Sequence, residues 1–471
     1  MKKKRRFWPP LQEVAITGMA AEGRCVARHE GQVIFVLGAA PGDVVDLRIT
    51  REHKNYLEAE VTFVHQPSAD RTTPFCQHFG VCGGCKWQHL TYEAQLRHKQ
   101  QLVDDALRRI GKAMELPPLL PILAAEPTRY YRNKLEFSAS PNAWLTREQI
   151  ATGESFDRRV LGFHAPGRFD KIVDIEHCHL QPDPSNALRL RIREYARQEG
   201  LTFYDAVGQT GFLRNVVVRT AESTGEVMVI VQVTDAEGEN LNNLLAMLLT
   251  EFPQITALHS VINSKGNDTF GDLDVPALKG PGYIQERMED LTFRVGPKSF
   301  YQTNARQALT LYQLTRAAAG LTGDELVYDL YTGAGTIANF VAHQARHVVG
   351  IEYVASAIDD ARINSAINGI SNTTFYAGDM KDVLSDQLFA HHGRPDVVIT
   401  DPPRAGMHPD VVAALLRAAP RRIVYVSCNP ATQARDIELL HPAYRAVQAQ
   451  PVDMFPHTQH VENIVVLERA G

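Results

Sequence analysis

Two side chains near the carboxyl end of this sequence could carry covalent chemistry. Cys428 closes the apolar run in Ile423-Val424-Tyr425-Val426-Ser427-Cys428-Asn429-Pro430, and Glu462 lies in His460-Val461-Glu462-Asn463. A thiolate that adds to an electron-poor ring carbon turns the neighbouring carbon into an enolate-like nucleophile, and a carboxylate can take the proton that must leave afterwards. Singly, a cysteine at a strand end is usually a small buried hydrophobe and a glutamate is usually solvated. Their company shifts that balance, because Asp401-Pro402-Pro403 and a glycine turn at 333–335 stand upstream of both.

The turn sits in Val327-Tyr328-Asp329-Leu330-Tyr331-Thr332-Gly333-Ala334-Gly335-Thr336, a strand running into a helix, with Glu352 ending the next strand. Glycines let the backbone approach a ligand, and the acidic residue can hold both hydroxyls of a ribose. Gly333, Gly335 and Ala338 also satisfy G-x-G-x-x-A, so the turn alone admits a nicotinamide enzyme. Three carboxylates favour an adenosyl-cofactor methyltransferase instead: Asp329 before the turn, Asp379 after the third strand, and Asp401 after the fourth. Asp379 would lie near an adenine and Asp401 at the carboxyl edge of the sheet, where open α/β sheets bind ligands. Arg404 stands where amino-group methyltransferases place an aromatic residue after D/N-P-P, which argues for a target atom other than an exocyclic amine. C5 of a pyrimidine is such an atom, and it becomes nucleophilic only after a thiolate has added at C6.

Three of the six cysteines cluster in Cys76-(x5)-Cys82-Gly83-Gly84-Cys85, and Cys178 follows at a distance. Four thiolates suit either a [4Fe-4S] cluster or structural zinc, and the spacing does not choose. So uneven a distribution is not a disulfide framework. Cys25, inside a predicted strand, reads as core packing.

The elements that must position these groups fall into three kinds. A chain of 471 residues exceeds one compact core and implies roughly two to four domains. Short strands at 14–18, 23–28, 32–36, 43–49 and 57–64, broken by Gly31, Gly38, Pro41 and Gly42, predict a five-stranded OB-like barrel. Helical periodicity runs from Tyr92 to Ile110 and stops at Gly111. A mixed α/β region follows, with strands at 215–219 and 227–231 and a helix at 240–251. Beyond about residue 300, strands at 326–330, 348–352, 374–376, 397–400 and 422–427 alternate with helices, the pattern of a doubly wound parallel sheet.

No stretch approaches the roughly 18 apolar residues of a membrane span, and the basic run 2–6 leads into Phe7-Trp8-Pro9-Pro10 with no apolar signal-peptide core, so a cytoplasmic protein is expected. The formal charge of −5 excludes a uniformly basic surface, but nucleic acid needs only a local track. Candidate tracks are 2–6, 51–54, and Arg129-Tyr130-Tyr131-Arg132-Asn133-Lys134, which interleaves cations with rings as a phosphate-binding and base-stacking surface would.

Taken in order, these motifs closely resemble the RNA (uracil-5-)-methyltransferase family, in particular its 23S rRNA members with an N-terminal TRAM domain and an iron–sulfur cluster. The resemblance is carried by Phe35-Val36 with Pro41-Gly42-Asp43, Cys82-Gly83-Gly84-Cys85, Tyr131-Arg132-Asn133-Lys134, Gln302-Thr303-Asn304, Asp401-Pro402-Pro403-Arg404, Ser427-Cys428-Asn429-Pro430 and His460-Val461-Glu462. It implies a multidomain α/β protein: a TRAM barrel over 1–67, a central α/β iron–sulfur and RNA-binding domain over 68–290, and a Rossmann-like class I methyltransferase domain over 291–471. The helix near 93–116 is expected to pack on the catalytic domain. The resemblance further implies S-adenosylmethionine contacts at Gln302, Tyr331, Thr336, Glu352, Asp379 and Asp401, and a [4Fe-4S] cluster on Cys76, Cys82, Cys85 and Cys178. It makes Cys428 the nucleophile and Glu462 the C5 base, acting in a monomer on a uridine flipped out of a 23S rRNA loop. The same reaction on tRNA, and a noncatalytic RNA-binding module, are the alternatives.

Overall fold

The computed structural model describes residues 8–111, 119–236 and 238–470. The basic run 2–6 and the expected helical stretch 112–116 lie outside the described residues.

The first five strands are β1 (Leu11–Met19), β2 (Cys25–His29), β3 (Gln32–Leu37), β4 (Val44–Glu52) and β5 (Tyr56–Gln66), closed into a barrel in the order β1, β2, β3, β5, β4. All pairs are antiparallel except β3 with β5. Alternate residues turn inward, as the period of a strand requires: Ile34 and Val36, Val45 and Leu47, Leu57 and Ala59 are all buried. Cys25 is among them, its thiol donating to the Ala39 carbonyl at 3.1 Å. Asp43, fully buried, anchors the barrel to the cysteine-bearing loop by accepting from Arg71 Nε at 2.8 Å and from the Ser68 amide at 2.9 Å.

That loop leads into helix α1 (Tyr92–Ile110), which Thr91 caps through the Ala94 amide. Val103 and Leu107 of α1 are buried with Tyr425, Leu440 and Val465, so this early helix belongs to the core around the C-terminal sheet.

The middle of the chain builds a seven-stranded sheet from β6 (Lys134–Ser140), β7 (Val160–His164), β8 (Ile172–Val173), β9 (Leu213–Thr220), β10 (Val227–Val233), β11 (Ile255–Ile262) and β12 (Ala277–Lys279). Both faces are covered. Val216, Val218, Val229 and Val231 pack with the helices Ser185–Gln198 and Asn240–Glu251, whereas Val217, Met228 and Ile230 join the core that contains Ile337, Phe340 and Val424. That second core runs without a break from the middle sheet into the C-terminal one, by way of the hairpin β13 (Ile284–Met288) and β14 (Leu291–Val295).

The C-terminal sheet contains β15 (Leu326–Leu330), β16 (His347–Glu352), β17 (Thr373–Ala377), β18 (Val397–Thr400), β19 (Arg422–Ser427), β20 (Tyr444–Val452) and β21 (Glu462–Arg469). Its order is β17, β16, β15, β18, β19, β21, β20. The five strands β15 to β19 are parallel, and β21 runs antiparallel between β19 and β20. This topology shapes the site in two ways. Strand order reverses beside β15, which opens a crevice at the carboxyl ends of β15 and β18. Because β21 is reversed, its first residues meet the last residues of β19, with Ser427 opposite Asn463.

Candidate active site

A cleft of about 1010 Å³ opens at this carboxyl edge, and its walls include Gln302, Tyr331, Glu352, Asp401, Cys428 and Glu462. Cys428 arrives directly after β19 and Glu462 begins β21, so the antiparallel pairing sets the thiol and the carboxylate side by side.

The turn after β15 is shaped by close packing. At Gly335, φ is +72°, and a Cβ there would lie 2.8 Å from the Cβ of Ala361. The Gly333 amide donates to Glu352 Oε2 at 3.2 Å, and the Val354 amide donates to Oε1 at 2.9 Å, so Glu352 is held across the turn with lone pairs to spare. Tyr331 has φ +63°, a conformation unusual for a residue with a Cβ and one that concentrates at functional sites. Gln302 comes from the segment before the helix Ala305–Ala319, fastened from the other side of the molecule: Asn133 Nδ2 donates to the Gln302 carbonyl at 2.9 Å, and the Asn133 amide to Thr303 at 2.7 Å. Thus Arg132-Asn133 and Gln302-Thr303, motifs far apart in sequence, dock onto each other.

Thr336 and Asp379 do not line the cleft. Thr336 opens the helix Thr336–Ala342 with its hydroxyl 3.5 Å from Tyr312 Oη. Asp379 caps the short helix Met380–Val383, accepting from the Lys381 amide at 3.2 Å and lying 3.3 Å from its ammonium.

The loop after β18 is tied to the helix Pro430–Leu440. Asn429 Nδ2 and Thr432 Oγ1 both donate to the Arg404 carbonyl, at 2.9 and 3.1 Å, and buried Asp436 accepts from the Met407 amide at 2.7 Å. Gly406, at φ +77°, passes so near that a Cβ would come within 2.5 Å of Asp436.

Electrostatically the cleft is a nest of carboxylates around a thiol. Burial pushes Asp401 up to about 7, and burial together with the charge of Asp401 pushes Glu462 up to about 8. Asp329, beneath them, is raised to about 7, chiefly by burial, although it accepts from Thr332 Oγ1 at 2.5 Å. Cys428 is raised to about 11 by burial and then by Glu462 and Asp401. Arg404 opposes these shifts: its positive charge lowers both Glu462 and Cys428. Its guanidinium also lies 3.1 Å from His460 Nδ1. Burial and that cation pull His460 down to about 4, so its imidazole is neutral at pH 7. From the sequence, Arg404 is visible as a departure from an aromatic and as the end of the Asp401-Pro402-Pro403-Arg404 motif, with no sign that it faces the thiol. Phe300, 71 % exposed at the cleft wall two residues before Gln302, carries no sequence signal at all.

A separate cavity of about 380 Å³ is lined by all four of Cys76, Cys82, Cys85 and Cys178. Asn186 brackets Cys178, accepting from its amide at 2.8 Å and donating to its carbonyl at 3.1 Å. The Gly83 amide donates to His164 at 3.1 Å, and a Cβ at Gly83 would stand 2.9 Å from that same oxygen. Cys82 and Cys85 are raised to about 12, chiefly by burial and in smaller part by other thiols of the group. Among the described residues, no three His, Cys, Asp or Glu are drawn together as a single metal ion would require.

Residues 280–470 match the tRNA (Uracil-5-)-methyltransferase family, and residues 11–62 match the TRAM domain. A protein of Bacteroides thetaiotaomicron described as an uncharacterized RNA methyltransferase is 56% identical over 96% of this chain and 100% of its own. Another so described, from Chlorobaculum tepidum, is 41% identical over 97% and 96%. Among solved structures, the Pyrococcus abyssi tRNA (uracil-54, C5)-methyltransferase in complex with S-adenosyl-L-homocysteine superposes with a TM-score of 0.73 at 27% identity, covering 96% of this chain and 100% of that one. The closed barrel, the reversed β21 beside β19 and relatives matched end to end agree: the chain belongs to the RNA (uracil-5-)-methyltransferase family.

Proposed function

We propose that this methyltransferase modifies C5 of a specific uridine in 23S rRNA through a covalent adduct between Cys428 and C6. The observation that carries the reading is the β19–β21 pairing, which brings Cys428 and Glu462 together on the cleft that Asp401 and Arg404 also line.

In this reading the Cys428 thiolate, favoured by Arg404, attacks C6, and the C5–C6 π electrons move toward O4. S-adenosylmethionine, when bound, would supply the electrophilic methyl group that C5 takes, with the broken S–C bond's electron pair staying on the sulfur of S-adenosylhomocysteine. Glu462 then accepts the C5 proton, the C5–C6 double bond reforms, and the Cys428 thiolate leaves. We assign Gln302, Tyr331, Glu352 and Asp401 to the cofactor, with the free lone pairs of Glu352 available to the ribose hydroxyls. Thr336 and Asp379 shape the surroundings of the turn. We read the chain as three units, 1–67, 68–290 and 291–471, working as a cytoplasmic monomer. No helix among the described residues is long and apolar enough to cross a membrane.

We assign Cys76, Cys82, Cys85 and Cys178, which line one cavity, to a [4Fe-4S] cluster, with structural zinc as the alternative.

The choice of 23S rRNA rests on the combination of barrel and four-cysteine set. One observation favours a tRNA substrate: the tRNA enzyme of Pyrococcus abyssi matches along its whole length, so the overall architecture does not by itself exclude tRNA. Total RNA from cells lacking this protein, incubated with it and methyl-labelled cofactor, decides the matter. New 5-methyluridine in the 23S fraction is the expected result. Label confined to tRNA establishes the second reading, and RNA binding without methylation leaves only a binding module.

A further inference from the structure

The segment 129–134 alternates rings and cations, yet the structure separates its members. Tyr131 is buried, its hydroxyl donating to the Pro456 carbonyl at 3.0 Å, so its ring is a core group. Tyr130 is 41 % exposed and sits at φ +56°, in the left-handed region that disfavours a side chain. Backbone pairing enforces that conformation: the Tyr130 amide donates to His179 and the Arg132 amide to Leu180, both at 2.8 Å. Exposed aromatic surface in a costly backbone conformation, held by its neighbours, is an arrangement that clusters at ligand clamps.

Other groups complete the surface. Tyr130 Oη lies 3.0 Å from His177 Nε2 and 3.1 Å from His179 Nδ1, and the two imidazoles stand 4.5 Å apart. A phenol can donate to one imidazole while accepting from the other, so the ring is fixed at its hydroxyl end while the residue stays partly exposed. Phe75 packs edge-on against His179 at 5.2 Å and against His457 at 4.9 Å, with the Arg129 guanidinium 3.7 Å above its ring. The patch is continuous with the catalytic cleft: Arg132, which lies over Phe455 at 5.6 Å, lines the cleft with it, and its buried Nε has no partner. His457 belongs to the segment that ends at Glu462.

We infer that Tyr130, with His177 and His179, is a stacking platform for an unpaired base on the same strand as the target uridine, with Arg129 and Arg132 taking its phosphates. The inference rests on the proposed RNA methyltransferase function. Every base has a π face, so a fixed aromatic ring beside cations binds single strands without needing a sequence. A flipped uridine leaves its neighbours unstacked, and the platform gives one of them a new partner beside the cleft.

The test uses the full chain and a single-stranded RNA nonamer whose central uridine is flanked by 2-aminopurine. Binding to the unchanged protein should quench the fluorescence. Tyr130→Ala should abolish the quench and weaken binding roughly 5- to 150-fold, as expected for one base–aromatic stack. Tyr130→Phe, which keeps the ring and loses both imidazole bonds, should retain most of the quench. S-adenosylmethionine binding should be equal in all three proteins, which shows that each is folded. An unquenched nonamer bound to the unchanged protein, or a Tyr130→Ala protein that binds and quenches normally, overturns the platform. Either result can coexist with methylation of bulk RNA, whereas failure to methylate any RNA overturns the underlying reading.

Discussion

Lys99 and Asp453 form an ion pair of 2.5 Å in which neither side chain is exposed, joining α1 to the segment between β20 and β21. Lys99 Nζ also donates to the Phe455 carbonyl at 3.0 Å, Tyr92 Oη donates to Asp453 Oδ2 at 2.9 Å, and Gln95 accepts from the His457 amide at 2.7 Å. The path to Glu462 is therefore clamped by one face of a helix whose Val103 and Leu107 lie in the C-terminal core and whose Ala94 packs with Ala40 and Trp87. Removing one partner of a buried pair strands the other charge, which costs about 3–5 kcal/mol, whereas replacing both with apolar groups restores much of that. Lys99→Met should accordingly destabilise the protein by that amount in urea unfolding, and Lys99→Met with Asp453→Leu should recover part of it. A single-variant loss under ~1 kcal/mol would place this pair with exposed ones.

Iron content distinguishes the two readings of the four cysteines. Protein purified without oxygen should be brown and hold about four irons per chain. Cys178→Ser should lower the iron while leaving S-adenosylmethionine binding in place, because Cys178 lines the smaller cavity and not the cleft. Colourless protein with one zinc per chain would refute the cluster.

Much of the fold is readable from local pattern, and the misses share one cause. Apolar runs at 326–330, 348–352, 397–400 and 422–427 are short and lie before turn residues, so they announce parallel strands, and all four form. The inward alternation of Ile34 and Val36 announces the barrel. No local feature tells that β21 inserts between β19 and β20, although that insertion places Glu462 beside Cys428. Nor does Lys99 differ in sequence from a solvated helix lysine; its partner lies 354 residues away. Tyr130 and Tyr131 are alike in type and setting, but backbone pairing with 179–180 turns one outward and one inward. Burial and tertiary pairing, which decide each of these, are properties of the folded chain.

Activity should rise with pH. Glu462 must be a carboxylate to take the C5 proton, and burial holds it at about 8, so it is mostly protonated at neutral pH in the resting cleft. Cys428, at about 11, must also lose its proton, so both requirements point the same way. The rate of a single turnover should climb from pH 6 through pH 9 and beyond, by up to roughly a hundredfold per pH unit while both groups are protonated and roughly tenfold per unit once Glu462 has lost its proton. Arg404 lowers both groups, so Arg404→Met should move the inflection upward and slow turnover at pH 7 by roughly 10²-fold, the loss typical of one charge-stabilising donor. Arg404→Lys should restore part of the low-pH activity. A profile unchanged by Arg404→Met would show that the guanidinium does not tune the cleft.

The two residues that β19 and β21 bring together should fail in different ways. Without Cys428 no bond to C6 can form and C5 stays unreactive, so Cys428→Ala should lose methylation and form no protein–RNA adduct. Without a carboxylate at 462 the addition and the methyl transfer remain possible, but the C5 proton has nowhere to go and the thiol cannot be expelled. Glu462→Gln should therefore accumulate a protein–RNA species that survives denaturant, with turnover slowed by roughly 10²–10⁴-fold, the range that a positioned base contributes. That adduct should carry the methyl group, which distinguishes a block at proton removal from a block at transfer. RNA with 5-fluorouridine at the target should trap the unchanged enzyme in the same way, because fluorine does not leave as a proton does. Substantial turnover by Cys428→Ala would sink the covalent route. An adduct from Glu462→Gln that lacks the methyl group would move Glu462 to an earlier step, before C5 attacks.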